Sequence, residues 1–193
     1  MDHFYKSIPG WASFTRLYQD MVRDAREGDR FVEVGSWLGK SACFMAVEII
    51  NSGKDIRFDC VDPWTDGGPD LRNTKYFKSL GSPVYEQFLE NTRPVQGRIR
   101  AMRMPSVEAA RFYQDHSLDF IMLDGDHSYE AVRADLEAWL PKMKRGSIVS
   151  GDDWFWPGVK RATEERFGSR IQVTWTKRHP DYLKSASHWT VLV

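Results

Sequence analysis

The sequence predicts an α/β fold: a doubly wound, mostly parallel sheet of seven strands that closes with a C-terminal antiparallel pair. Three observations carry this. Short apolar runs alternate with helix-period segments along most of the chain, the pattern of helices packed on both faces of a parallel sheet. The stretch 118–154 reads strand, helix, strand, and both strands end in carboxylates. Phe120-Ile121-Met122-Leu123 runs into Asp124-Gly125-Asp126-His127, and Ile148-Val149 runs into Gly151-Asp152-Asp153. Such a crossover makes the two strands parallel and the connection right-handed. Parallel neighbours lie roughly 5 Å apart, so Asp124 and Asp152-Asp153 meet at one sheet edge although 28 positions separate Asp124 from Asp152. Finally, the run Arg30–Val34 turns through a glycine loop into a helix, and ligands of open α/β sheets bind at that carboxyl edge.

The elements follow in order. Residues 1–29 form an N-terminal helical extension, in which Trp11, Phe14, Leu17, Tyr18 and Met21 recur at helical spacing and predict a helix over Trp11–Arg26, ended by Gly28. Arg30–Val34 is the first strand. A helix runs from Lys40 to Asn51, where Asn51-Ser52-Gly53 stops it. Ile56–Val61 is the second strand and ends on Asp62-Pro63-Trp64. The polar stretch Thr65–Gly81 is too long for an ordinary connection, so 65–97 reads as a lid insertion with a helix at Val84–Asn91. Arg98–Met102 is a third strand and Ser106–Tyr113 a short helix. Tyr129, Val132, Leu136, Trp139 and Leu140 share one face of the helix in the central stretch. Val159–Phe167 is the last helix, and Ile171–Thr176 with His188–Val193 the antiparallel pair. If three strands wind one way and the fourth starts the other, the first and fourth are neighbours and the ligand crevice opens between them.

Composition narrows the function. The 193 residues suit one domain. Lys and Arg number 27, as do Asp and Glu, so nothing electrostatic points to nucleic acid or an anionic membrane. No apolar run approaches the roughly 20 residues of a membrane span, and the N-terminus lacks a secretory layout. The expected location is the cytoplasm, with Cys43 and Cys60 as buried free thiols. A monomer and a homo-oligomer are both open. Trp64, Trp154, Phe155 and Trp156 follow candidate site positions and read equally as an acceptor wall or as core; Tyr76 and Phe77 could close over them.

At the first strand, Glu33-Val34-Gly35-Ser36-Trp37-Leu38-Gly39 places a carboxylate and two glycines where strand becomes helix. Glycine lets backbone approach a ligand closely, and a helix N-terminus favours an anionic group. Two ligands suit this. One is a phosphate: GSWLGKS approaches the phosphate-binding loop of nucleotide hydrolases, but that motif has four residues between its glycines and this chain has three. The other is S-adenosylmethionine, and Asp62 favours it. A carboxylate ending the next strand can accept both ribose hydroxyls, against the reading of a turn residue before proline.

Glu33-x-Gly35-x-x-x-Gly39-x-Ser41-Ala42 resembles the cofactor loop of class I S-adenosylmethionine-dependent methyltransferases, and is closest to the cation-dependent catechol O-methyltransferase-like branch. DGDHSYEAVRADL and GDDW look like the sugar and small-molecule O-methyltransferases of the macrocin type. The resemblance covers roughly Phe31 to Asp153 and implies a Rossmann-like fold. It implies Asp124, Asp152 and Asp153 as ligands of Mg²⁺ or another divalent cation. It implies a cofactor site of Glu33, Gly35, Ser36, Gly39, Asp62, Ser106 and Asp124, with Ser106 on the adenine side. His127 sits where relatives carry the general base, and some sugar-modifying relatives use an aspartate at the position of Asp126. Catechol-type enzymes usually have Asp-Asn where this chain has Asp152-Asp153, which favours a sugar-like acceptor over a simple catechol.

The chemistry suits those residues. A hydroxyl attacks a sulfonium methyl poorly until it loses its proton, and a hard dication lowers its pKa. Mg²⁺ takes oxygen ligands and keeps positions for water or substrate. Successive strand residues face opposite ways, so Asp152 and Asp153 can share a metal only if the chain has left strand geometry. Histidine, with a reference pKa near 6.5, suits proton abstraction at neutral pH. Asp126 or Ser128 could alternatively cap the helix that follows. The competing functions are a metal-independent O- or N-methyltransferase of the same fold and a noncatalytic cofactor-binding module. The two-histidine, one-carboxylate set of an iron oxygenase is missing.

Overall fold

The computed structural model describes residues 1–65, 83–175 and 187–193. The strands are β1 (Arg30–Val34), β2 (Arg57–Asp62), β3 (Arg100–Arg103), β4 (Leu118–Leu123), β5 (Met143–Gly151), β6 (Gln172–Trp175) and β7 (Ser187–Leu192). They form one sheet in the order β3-β2-β1-β4-β5-β7-β6. β1 to β5 run parallel to one another, and β7 is antiparallel to both β5 and β6. The order reverses between β1 and β4, as expected, so the switch point opens beside the glycine loop. The sheet is doubly wound, Rossmann-like and seven-stranded.

The helices are α1 (Thr15–Asp24), α2 (Lys40–Ser52), α3 (Val84–Thr92), α4 (Ser106–Ala109), α5 (Tyr129–Trp139) and α6 (Pro157–Phe167). Burial on both faces explains the near-continuous apolar strands. One core layer joins Phe31, Phe58 and Phe120 to Tyr18 of α1, Met45 of α2 and Phe88 of α3. The other joins Val32, Val34 and Ile121 to Leu136 and Trp139 of α5 and Val159 of α6. Alternation along β1 therefore sends Glu33 to the side of Phe31, toward α1. Among the described residues no helix is long and apolar enough to cross a membrane. Both cysteines are buried free thiols.

Several boundaries differ from the sequence reading. α1 starts at Thr15 rather than Trp11: Gly10 has φ +112°, and Trp11 stacks on Trp37 at 5.4 Å instead of extending the helical stripe. β5 begins at Met143, well before Ile148, because Lys144 projects from it to pair with Asp119 at 2.7 Å. The expected Ser106–Tyr113 helix is one α turn followed by a 3₁₀ turn over Ala110–Phe112. Of the anticipated 65–97 lid, residues 66–82, with Tyr76 and Phe77, lie outside the described residues.

Candidate active site

Backbone hydrogen bonds stitch four strand ends side by side. The Gly35 amide donates to the Val61 carbonyl at 2.8 Å, the Asp124 amide to Val34 at 2.9 Å and the Asp152 amide to Leu123 at 3.2 Å. Gly35 has φ +88°, and a side chain there would fall on the Asp124 carbonyl. The glycine is thus required by the neighbouring strand as well as by any ligand above it. Gly39, also at positive φ, sits at the N-terminus of α2, where a Cβ would come within 2.8 Å of Thr92.

Asp62 ties the end of β2 to this loop. Its Oδ2 accepts from the Trp37 amide at 2.9 Å and its Oδ1 from the Trp64 amide at 2.6 Å. Burial raises its pKa, and those two amide bonds oppose the rise. Trp37 holds a left-handed φ of +42°, a strained conformation for a bulky residue. The Asp62 bond and the Trp64 indole, donating to the Trp37 carbonyl at 2.7 Å, fix it there.

Glu33 lies beneath the loop at 1% exposure. The Tyr18 hydroxyl donates to its Oε2 at 2.6 Å, and its buried Oε1 has no hydrogen-bond partner. Burial pushes the Glu33 carboxyl up to about 7, and the hydrogen bond from Tyr18, with the hydroxyls of Ser36 and Ser41 nearby, opposes the rise. Ser36 is buried in the loop and its carbonyl accepts from the Gly39 amide at 2.7 Å. Ser106 is half-buried, and its hydroxyl accepts from the Trp139 indole at 2.8 Å.

At the ends of β4 and β5, donor atoms of Asp124, His127 and Asp153 lie within 4.8 Å of one another. His127 Nε2 is 3.0 Å from Asp153 Oδ2 and 3.7 Å from Asp124 Oδ1. Both are ion pairs when the imidazole is protonated. Asp153 has φ +57°, the departure from strand geometry that the Asp152-Asp153 pair demanded. The turn separates the two. Asp153 joins the cluster, while Asp152, at 8% exposure, accepts from the Ser13 hydroxyl at 3.2 and 3.1 Å. Of the three expected ligands, Asp124 and Asp153 have donor atoms gathered with His127, and Asp152 is buried close enough to feel the charge of both.

The charges are strongly coupled. Burial and the neighbouring Asp124 and Asp153 push Asp152 well above the carboxylate range. Burial likewise pushes Asp124 up to about 6, with His127 opposing. For His127, burial favours the neutral ring, but Asp124 and Asp153 outweigh it and raise the imidazole to about 10. Asp126 is exposed and its Oδ1 accepts from the Ser128 amide at 2.7 Å. Ser128 caps α5 by accepting from Ala131 at 3.3 Å.

Of the aromatic residues expected near the acceptor, Trp156 stacks on His127 with ring centroids 5.2 Å apart. Trp64 and Trp154 are core residues; Trp64 packs on Phe88 at 4.5 Å. Sequence reasoning missed Ser13 and Tyr18 as partners of site carboxylates. Tyr18 carried only an apolar-stripe signal and Ser13 none.

A switch point between β1 and β4, a glycine loop there and a carboxylate ending β2 define a class I S-adenosylmethionine-dependent methyltransferase architecture. Residues 32–154 match the family model described as a methyltransferase domain, and the chain belongs to that family. A relative is the uncharacterized protein y4gI of Sinorhizobium fredii (strain NBRC 101917 / NGR234), 27% identical over 149 residues. That match covers 76% of this chain but only 15% of the relative's length. Similar solved structures include the O-methyltransferase NovP, with TM-score 0.66 and 18% identity over 94% of this chain and 80% of that one. A SAM-dependent O-methyltransferase from Thermotoga maritima gives 0.62 and 13%, covering 96% of this chain and 67% of its own. TrmN from Thermus thermophilus gives 0.62 and 16%, covering 92% and 48%. At these identities the likeness is one of fold.

Proposed function

We propose that the protein transfers a methyl group from S-adenosylmethionine to a hydroxyl of a small hydroxylated acceptor, sugar-like or phenolic, with a divalent cation such as Mg²⁺ at the acidic cluster. The observation that carries this is the meeting of the glycine loop, Asp62 and the Asp124–Asp153 cluster along one stitched sheet edge. S-adenosylmethionine supplies an electrophilic methyl, and a bound dication lowers the pKa of the attacking hydroxyl.

This chain's residues fit those groups. The unpartnered Glu33 Oε1 can accept from the cofactor's ammonium. Asp62 keeps a free lone pair on each oxygen for the ribose hydroxyls, since each already accepts one amide. Gly35, Ser36 and Gly39 would carry the loop past the cofactor, and Ser106 is assigned to the adenine side by its resemblance to the family position alone. Asp124 and Asp153 offer the oxygen donors that a hard cation takes, with Asp152 buried beside them. Asp126 and His127 are the two candidates for the proton acceptor, and Trp156 walls the acceptor side of His127. Positioning of the hydroxyl in line with the methyl and its sulfur is the main catalytic task.

Titration of S-adenosylhomocysteine by calorimetry tests the reading. Micromolar binding to wild type supports it, and absence of binding by folded protein refutes it. A metal-independent O- or N-methyltransferase is the second reading, favoured by one observation: His127, protonated, already places a cation between Asp124 and Asp153. Turnover that survives exhaustive chelation would select it.

A further inference from the structure

Glu33 is a carboxylate on the apolar face of β1 that also carries Phe31, and α1 meets it with a single hydroxyl. Tyr18 lies one turn beyond Phe14. Its ring packs against Phe14 at 5.0 Å and edge-on to Phe120 at 5.9 Å, and it is buried. The hydroxyl donates to Glu33 Oε2 at 2.6 Å. The helix behind this contact is tied down. Lys54 Nζ donates to the Val22, Arg23 and Ala25 carbonyls at 2.8, 2.7 and 2.8 Å, at its C-terminal end. Tyr18 nevertheless satisfies only half of the carboxylate. Glu33 Oε1 and the loop hydroxyl of Ser36 are both buried, and neither has a hydrogen-bond partner among the described residues. Unpaired buried polar atoms oppose folding. If the Tyr18–Glu33 pair served the core alone, two apolar side chains would serve it better.

We infer that Tyr18 is a positioning residue for the cofactor: by occupying Glu33 Oε2 it fixes the rotation of the carboxylate, so that Oε1 is the oxygen that receives the ammonium of S-adenosylmethionine. This deepens the reading given above and rests on it. The terminal torsion of a glutamate is broad and two-fold, so an untethered carboxylate presents either oxygen over a range of angles. One short bond to a phenol on an anchored helix selects one oxygen and one angle. Tyr18 itself touches no ligand in this arrangement. Its effect passes through Glu33 and reaches only the amino-acid end of the cofactor. A phenol suits the task because it is a neutral donor: it leaves the carboxylate charge for the ammonium, where a lysine or arginine from α1 would cancel it. Burial and the neighbouring Glu33 raise the phenol well above its ordinary value, so its proton stays in place.

The test compares two ligands that differ in the amino-acid arm. S-adenosylhomocysteine carries it, and 5′-methylthioadenosine has the same nucleoside and sulfur without it. In calorimetry on the full chain, Tyr18→Phe is expected to bind S-adenosylhomocysteine about fivefold or more weakly than wild type, the order of one hydrogen bond's contribution, and methylthioadenosine within about twofold. In a Glu33→Gln background, Tyr18→Phe is expected to cost no further affinity, as for a residue that acts through another. A role in packing alone would weaken both ligands alike and add to the loss in Glu33→Gln. Circular dichroism checks the fold of each variant. A second readout needs no change at Tyr18: with tyrosine ¹³C-labelled at the hydroxyl-bearing carbon, the resonance displaced by Glu33→Gln should shift when S-adenosylhomocysteine binds and stay still with methylthioadenosine. Unchanged S-adenosylhomocysteine affinity in Tyr18→Phe, equal weakening of the two ligands, additive losses in the double variant, or a resonance indifferent to S-adenosylhomocysteine overturns the inference. The methyltransferase reading survives each of these results as long as wild type binds S-adenosylhomocysteine. Absence of that binding in folded wild type overturns both.

Discussion

Glu33→Gln isolates the energetics of the one carboxylate buried under the glycine loop. The folded protein holds this proton up to about 7, against an ordinary value of 4.5. Between those values the unfolded chain has ionised and the folded protein has not. The folded state therefore binds more protons, and stability falls as pH rises through the window, with the loss complete above the folded value. At 1.36 kcal/mol per unit, the displacement amounts to about 3 kcal/mol, of which about 2.5 kcal/mol falls between pH 5 and pH 8. Other buried acids with raised values, Asp124, Asp135 and Asp152, contribute to the same wild-type slope. The difference between wild type and Glu33→Gln removes them. Glutamine is isosteric, and its carbonyl can still accept from Tyr18, so packing is preserved. The variant should gain about 2.5 kcal/mol on wild type between pH 5 and pH 8, measured by urea denaturation at both values. A wild-type-minus-variant difference that stays level across that range would show that Glu33 is not protonated in the folded state, and the burial argument would fail.

The other predictions test single contacts. Gly35→Ala should cost more than about 3 kcal/mol, because the left-handed backbone alone costs about 1–2 kcal/mol and the new Cβ displaces the Asp124 carbonyl. Gly146→Ala, at a similar φ of +82° but with open space around it, should cost only about 1–2 kcal/mol; equal losses in urea denaturation would discount the steric contact. Asp62→Ala should weaken S-adenosylhomocysteine binding at least tenfold in calorimetry, and unchanged affinity would remove Asp62 from the ribose site. Ser13→Ala strips the Asp152 carboxylate of its hydroxyl donor and should destabilise by about 1–3 kcal/mol; wild-type stability in urea would show that this bond is not made.

How far the sequence discloses the structure depends on whether a residue's partner is local. β1 was legible to the residue because its apolar run ends on Gly35, whose conformation the turn itself requires. The arrival of Asp124 and Asp153 at one edge followed from parallel pairing, which spacing and a crossover helix imply. Asp152 was not legible in the same way. Its orientation depends on a left-handed turn at a non-glycine residue, Asp153, and on a serine 139 positions away. Trp64, which follows Asp62, read equally as a pocket wall or as core, and its packing on Phe88 of α3 decides for core. The start of β5 was hidden by Lys144-Arg145, since a charge paired across to Asp119 looks like a loop.

The N-terminal extension links these points. It adds no strand, and its helix packs on α2, yet two site carboxylates carry donors from it: Tyr18 on Glu33 and Ser13 on Asp152. A third tie, Lys40 Nζ donating to the Ile8 carbonyl at 2.9 Å, holds the segment to the first turn of α2. Buried carboxylates without donors are costly, so the sheet edge can keep these two acids out of water only where the extension supplies hydroxyls. The extension thus takes part in building this sheet edge: it gives one hydroxyl donor to Glu33 and one to Asp152, while Asp124 and Asp153 pair with His127 instead.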